Sequence, residues 1–175
     1  KMQKFILENK IINRLMLKTW GHNEAIIKWV GSLKNKDIKN NVVGFRISRP
    51  SVKNKKDATG VHIDLHVGGK ICNDKNVLIT IWVPLIGFNQ NYSLNISPRS
   101  HIKSHSIKNF VYSKTVTNVF SKDYYKKFKF FRPSLSKGKV LTFHPNLLHG
   151  NSFNAGKKTR FSLEIRIYNK RNIKK

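Results

Sequence analysis

In the segment VHIDLHV, residues 61–67, His62, Asp64 and His66 alternate with Val61, Ile63, Leu65 and Val67. A β-strand sends successive side chains to opposite faces, so the four apolar residues share one surface and the imidazoles and carboxylate share the other. The polar face of an ordinary half-buried strand carries Lys, Thr or Glu, whereas His with Asp is a donor set for first-row transition metals. A surface strand that carries two histidines by chance is the competing account. A third ligand is available in FHPNLLHGNSF, which holds His144 and His149. His149 is the better placed, just before the Gly150 turn, where a side chain can lean over a barrel mouth; His144 sits within a predicted strand next to Pro145. Two imidazoles and one carboxylate on one side of an ion leave three positions open, which suits ferrous iron that must hold a cosubstrate and dioxygen. A closed structural zinc site takes four ligands, usually with cysteine, and the single Cys72 cannot supply that. His66 continues the ligand face and is read as a lining residue, and His101 and His105 as loop residues.

The elements that must position these groups are helices first and strands after. Leu7, Ile11, Ile12, Leu15 and Met16 recur at helical spacing, and Ala25, Ile26, Trp29 and Val30 do so again beyond Gly21, with Asn23 as a cap. From residue 42 the period becomes two, with strands predicted at 42–48, 60–67, 77–85, 92–97, 108–117, 139–144 and 158–168. In RFSLEIRIY, Arg160, Ser162, Glu164 and Arg166 oppose Phe161, Leu163, Ile165 and Ile167; in LITIWVPL, Thr80, Trp82 and Pro84 oppose Ile79, Ile81, Val83 and Leu85. Arg46 and Ser48 similarly oppose Val43, Phe45 and Ile47. Strands of this kind after helices predict a mainly β sandwich or barrel with flanking helices, its polar faces converging on a chemically equipped lumen.

Composition bounds the rest. At 175 residues the chain is expected to be one domain: helices over 1–40 packing on a barrel of 42–168, then a basic tail, 169–175. A lone cysteine and the lack of an apolar leader with a cleavage site predict a reducing, cytoplasmic setting. No apolar run is long enough to span a bilayer. The formal charge of +27, with only 8 acidic residues, would attract a polyanion such as nucleic acid or an anionic glycan. The excess of Lys, Asn and Ile is also what genome composition alone can produce. Oligomeric state is not legible.

Taken together, His62-x-Asp64, a distal His149 and Arg160 eleven residues beyond it resemble the Fe(II)- and 2-oxoglutarate-dependent dioxygenases, most closely the phytanoyl-CoA dioxygenase-like branch. TIWVPL at 80–85, SPRSH at 97–101 and KGKVLTFHPNLLHGNSFN at 137–154 follow the order of that branch. The resemblance implies a double-stranded β-helix, the jelly-roll or cupin-like barrel. It implies Fe(II) on His62, Asp64 and His149, and Arg160 gripping the distal carboxylate of 2-oxoglutarate with Ser162 beside it. Asn151 and Thr80 would serve the other end of the cosubstrate, and Arg46, Trp82 and Arg166 would contact substrate. The implied reaction consumes O2, releases succinate and CO2 from 2-oxoglutarate, and hydroxylates a C–H bond of a small polar metabolite or carbohydrate unit. Gly138-Lys139 stands where the family usually has Gly-Asp.

Two other functions compete. The Arg160 to Arg166 spacing also resembles nucleic-acid oxidative demethylases of the same superfamily, and a non-catalytic cupin-like binding module would keep the barrel without the turnover.

Overall fold

Strand β7 (Arg160–Asn169) organises the sheet. In the computed structural model, which describes residues 25–27, 44–50, 57–64, 77–111 and 119–169, it is paired along both edges. One edge carries β3 (Val77–Ile86), antiparallel, with Thr80 opposite Arg166 and Trp82 opposite Glu164. The other carries β2 (Gly44–Ser48) against residues 160–164, and the short β1 (Ala25–Ile27) against residues 167–169. Strand β6 (Leu141–Phe143) extends the sheet from β3, with Phe143 opposite Thr80. Directly paired residues share a face. Arg46, Ser48, Thr80, Trp82, Ser162 and Arg166 therefore lie on one side of the sheet, as their alternation predicts.

A second layer faces them, built from single bridges rather than strands. His62 pairs with His149, His149 with Ile96, and Ile96 with Phe131, all antiparallel. Behind this layer a two-stranded sheet of β4 (Phe110–Val111) and β5 (Val119–Phe120) is followed by one helical turn, α1 (Lys122–Tyr125), capped by the Ser121 hydroxyl on the Tyr124 amide.

The apolar core is divided by the bridge layer. Trp82, Leu94, Ile96, Phe143 and Leu147 pack between it and the sheet. Val61, Ile63, Phe120 and Leu148 pack on its other side, against Phe110, Tyr124, Tyr125, Phe128 and Phe130. Alternation along 61–64 thus separates an aromatic-lined core from the sheet face that carries the polar groups. Buried Asn154 ties the layer to the sheet, its Nδ2 donating to the carbonyls of Ser48 at 2.7 Å and Lys158 at 2.8 Å.

Several predicted elements need correction. Ala25 and Ile26, read as helical, lie in strand β1; three apolar residues fit either period, and pairing with the end of β7 decides. Of the 60–67 strand, residues 60–64 make only the His62 bridge, and residues 65–67 lie outside the described residues. The 92–97 strand reduces to the Ile96 bridges, its start being a turn held by Tyr92 and Ser93 amides on the Asn89 carbonyl. Residues 107–109 form a 3-10 turn before β4. The remaining helical expectations over 1–40, His66, Cys72 and the basic tail lie outside the described residues, apart from Asn169 at the end of β7.

Candidate metal centre

His62 and His149 are bridge partners, so their imidazoles emerge side by side, with ring centroids 4.2 Å apart. The Asp64 amide bonds the Pro145 carbonyl, which carries the chain back past the same point. The result is a buried triad whose ligand atoms all lie within 4.8 Å of one another. Asp64 Oδ1 is 3.7 Å from His149 Nε2 and 3.9 Å from His62 Nε2. Two donors that each sit about 2.1 Å from one ion can be at most about 4.2 Å apart, so Asp64 Oδ1 is close enough to each imidazole to share an ion with it.

Protons are arranged to match. Nδ1 of His62 lies 2.8 Å from the Gly60 carbonyl and Nδ1 of His149 lies 2.9 Å from the Leu147 carbonyl. A carbonyl only accepts, so each Nδ1 carries a hydrogen, and it is the Nε2 atoms that are turned toward Asp64. Burial pushes the His62 pKa down to about 3, with His149 adding to the shift, so this ring is neutral at physiological pH. Burial acts to raise the Asp64 pKa, but the Arg166 charge, followed by His149 and His62, outweighs it and keeps the carboxyl ionised. The neutral His62 imidazole and the ionised Asp64 carboxylate are in the protonation states that metal binding requires.

Gly150 explains the His-Gly pair. Its φ is +117°, and a Cβ there would stand 2.3 Å from the Gly60 carbonyl oxygen and 3.0 Å from His62 Nδ1. Only glycine lets the two ligand segments approach this closely.

A cleft of about 350 Å³, measured out to its open mouth, runs from His62 and His149 past Arg46 and Glu164 to Arg160. Arg160 is 4% exposed and lies over the Trp82 ring, 5.8 Å from its centroid. Its Nη1 donates to the Tyr92 carbonyl at 2.8 Å. Its Nε is buried with no hydrogen-bond partner among the described residues, as are Ser162 Oγ and Trp82 Nε1. Burial draws the guanidinium down to about 10, with Glu164 opposing, so it remains a cation. Buried donors of this kind are costly unless a ligand meets them, and a carboxylate fits.

The other predicted residues are distributed as follows. Arg46 lines the cleft, its Nε donating to Glu164 at 3.1 Å. Thr80 does not line the cleft; its hydroxyl donates to Asp64 Oδ2 at 2.6 Å. Arg166 is 7% exposed, with Nη2 bonded to Asp64 Oδ1, so it reaches the triad rather than an open surface. Asn151 follows Gly150 at φ 50°, its amide on the Thr59 carbonyl. His144 is exposed and stacks near His101, away from the triad. His105 lies in a loop, as expected, but it is buried among Phe120, Tyr124 and Phe128, with its ring nitrogens 2.7 Å from the Tyr124 hydroxyl and 2.9 Å from the Ser100 carbonyl. Glu164, placed on the lumen face with Arg160 but given no role, lines the cleft. Thr59 also lines it, and nothing in the sequence marks it.

The model of the phytanoyl-CoA dioxygenase family matches residues 9–162. Among solved structures, the chain resembles the non-heme alpha ketoglutarate dependent carbocyclase SnoK from nogalamycin biosynthesis at TM-score 0.60 and 14% identity, over 95% of this chain and 58% of that one. It also resembles the epimerase SnoN in complex with Fe3+, alpha ketoglutarate and nogalamycin RO, at TM-score 0.57 and 15% identity, over 90% and 55%. The chain therefore spans little more than half the length of these structures, and at such identities the likeness is one of fold. No curated protein matches it by sequence. The family match, covering most of the chain, decides the matter: this chain belongs to the phytanoyl-CoA dioxygenase family, a branch of the Fe(II)- and 2-oxoglutarate-dependent oxygenases.

Proposed function

We propose that the chain is a 2-oxoglutarate-dependent non-heme iron oxygenase that hydroxylates a C–H bond of a small polar molecule or carbohydrate unit, with release of succinate and CO2. The observation that carries this is the meeting of His62, Asp64 and His149 in one buried cluster, with an unfilled cationic donor, Arg160, along the same cleft. In this reading the sheet and bridge layer are the two faces of a jelly-roll barrel, and the triad holds the metal.

Each residue has a distinct task. The Nδ1 bonds of His62 and His149 to backbone carbonyls fix their rings so that both Nε2 atoms present lone pairs. Asp64 contributes a negative charge and Thr80 orients its carboxylate. Arg160 binds the distal carboxylate of 2-oxoglutarate through its Nε side, with the Ser162 hydroxyl adding a donor. Asn151 stands near the metal end of the cosubstrate. Iron with 2-oxoglutarate supplies the oxidising power, and the protein supplies orientation and exclusion of water. Buried Trp82, beneath Arg160, and Leu94 provide an apolar wall at the cosubstrate.

The preference for a polar substrate rests on the cleft, where the side chains of Arg46, Asp57, Thr59, Ser152 and Glu164 outnumber those of Ala58 and Leu94. A polyanionic partner gains no support from the likenesses to solved structures. Among the described residues no helix is long and apolar enough to cross a membrane.

The test is an anaerobic binding measurement followed by turnover. The iron-loaded protein is expected to bind 2-oxoglutarate, and on admission of O2 to release succinate and add one oxygen atom to a member of a panel of sugars, glycosides and amino acids. Iron binding without any 2-oxoglutarate binding would instead identify a cupin-like binding module. Loss of methyl groups from alkylated oligonucleotides would identify a demethylase.

A further inference from the structure

Thr80 and Arg166 face each other across β3 and β7 on the polar side of the sheet. Both reach the same carboxylate. Thr80 Oγ1 donates to Asp64 Oδ2 at 2.6 Å, and Arg166 Nη2 donates to Oδ1 at 2.5 Å. Oδ1 is also the oxygen turned toward His149 Nε2 and His62 Nε2, at 3.7 and 3.9 Å. A cation belonging to the protein and a cation held by the triad would therefore share one oxygen atom. Asp64 is 2% exposed and Arg166 is 7% exposed, so water screens this competition weakly.

We propose that Arg166 is a positioning residue acting through Asp64: it pins Oδ1 toward the two imidazoles and, by sharing that oxygen, moderates how tightly the site holds a divalent ion. The inference rests on the triad being the metal site, as argued above. Its physical content lies in a sign. A neighbour that accepts a hydrogen bond from a metal ligand makes that ligand more basic and strengthens binding. Arg166 does the reverse. It donates to the ligand, withdraws electron density from it, and adds a positive charge close to the ion. The charges of Asp64 and Arg166 offset each other, so a bound divalent ion retains its full charge for an anionic ligand entering the cleft.

A purely structural support and a charge moderator make opposite forecasts for Arg166→Gln, which keeps an N–H donor and removes the charge. The experiment titrates the metal-free chain with Mn(II), counting free ion by electron paramagnetic resonance, for wild type, R166Q, R166K and T80V. R166Q is expected to bind Mn(II) about 10-fold tighter, the lower end of outer-sphere effects on metal affinity. T80V, which loosens the carboxylate without changing charge, is expected to bind no tighter than wild type. Unchanged or weaker binding by folded R166Q overturns the proposal, as does tighter binding by T80V. Should R166Q not fold, R166K decides: an affinity within threefold of wild type supports the proposal, and any larger change overturns it. Wild type that binds no Mn(II) would sink the metal reading of the triad itself, an outcome distinct from all of these.

Discussion

Replacing Arg160 by Met should separate cosubstrate binding from metal binding. The side chain is 4% exposed, its Nη1 is occupied by the Tyr92 carbonyl, and its Nε faces no acceptor among the described residues. With a pKa of about 10 the guanidinium is fully charged at neutral pH. If it meets the distal carboxylate through two charge-assisted bonds, each contributing roughly 1.5 to 3 kcal/mol, their loss removes roughly 3 to 6 kcal/mol. That corresponds to a fall in 2-oxoglutarate affinity of about a hundred-fold to ten-thousand-fold. Arg160→Lys retains a point charge without the fork and should lose an intermediate amount. The assay is isothermal titration of 2-oxoglutarate into Mn(II)-loaded protein, with Mn(II) affinity measured separately. The cosubstrate assignment is refuted if R160M binds 2-oxoglutarate within a few-fold of wild type, or if it loses Mn(II) to the same degree.

Three further outcomes follow from the same geometry. Gly150→Ala should fold poorly or lose metal, because its Cβ would stand 2.3 Å from the Gly60 oxygen that anchors His62; Mn(II) titration and thermal melting check this, and wild-type values in both would show that the close approach is not required. His105→Ala should lower stability by about 2 to 4 kcal/mol, through a cavity and two lost hydrogen bonds, while leaving Mn(II) affinity intact; denaturant titration measures it, and a change below about 1 kcal/mol would argue against its core role. The metal-free fold should be acid-labile. The His62 pKa is about 3 folded against an ordinary 6.5, so the unfolded chain takes up the proton first and stability falls as pH drops through 6.5 toward 3. From pH 7 to pH 5 the loss from this group is up to about 2 kcal/mol, and denaturant midpoints that hold steady or rise would contradict it.

Much of the site was legible because side-chain alternation is local. RFSLEIRIY and LITIWVPL sort their residues as the sheet does, since β3 and β7 pair over nearly their whole length. The alternation of residues 61–64 also sorts correctly, Val61 and Ile63 into an aromatic core and His62 and Asp64 toward the sheet, although the segment is a single bridge and not a strand. What sequence could not give was partnership between distant segments. Arg166 and Thr80 face the lumen as read, but that both would bond Asp64 is set by the register of β3 on β7. His105 does lie in a loop, and only the folded chain brings Tyr124 and Phe120 around it.

Iron stoichiometry in wild type and three single variants tests the central claim most directly. Under anaerobic conditions the wild-type chain should take up one Fe(II), and His62→Ala, Asp64→Ala and His149→Ala should each abolish tight uptake while His144→Ala leaves it unchanged. If His149→Ala still holds one iron as tightly as wild type, these residues do not share an ion and the account fails.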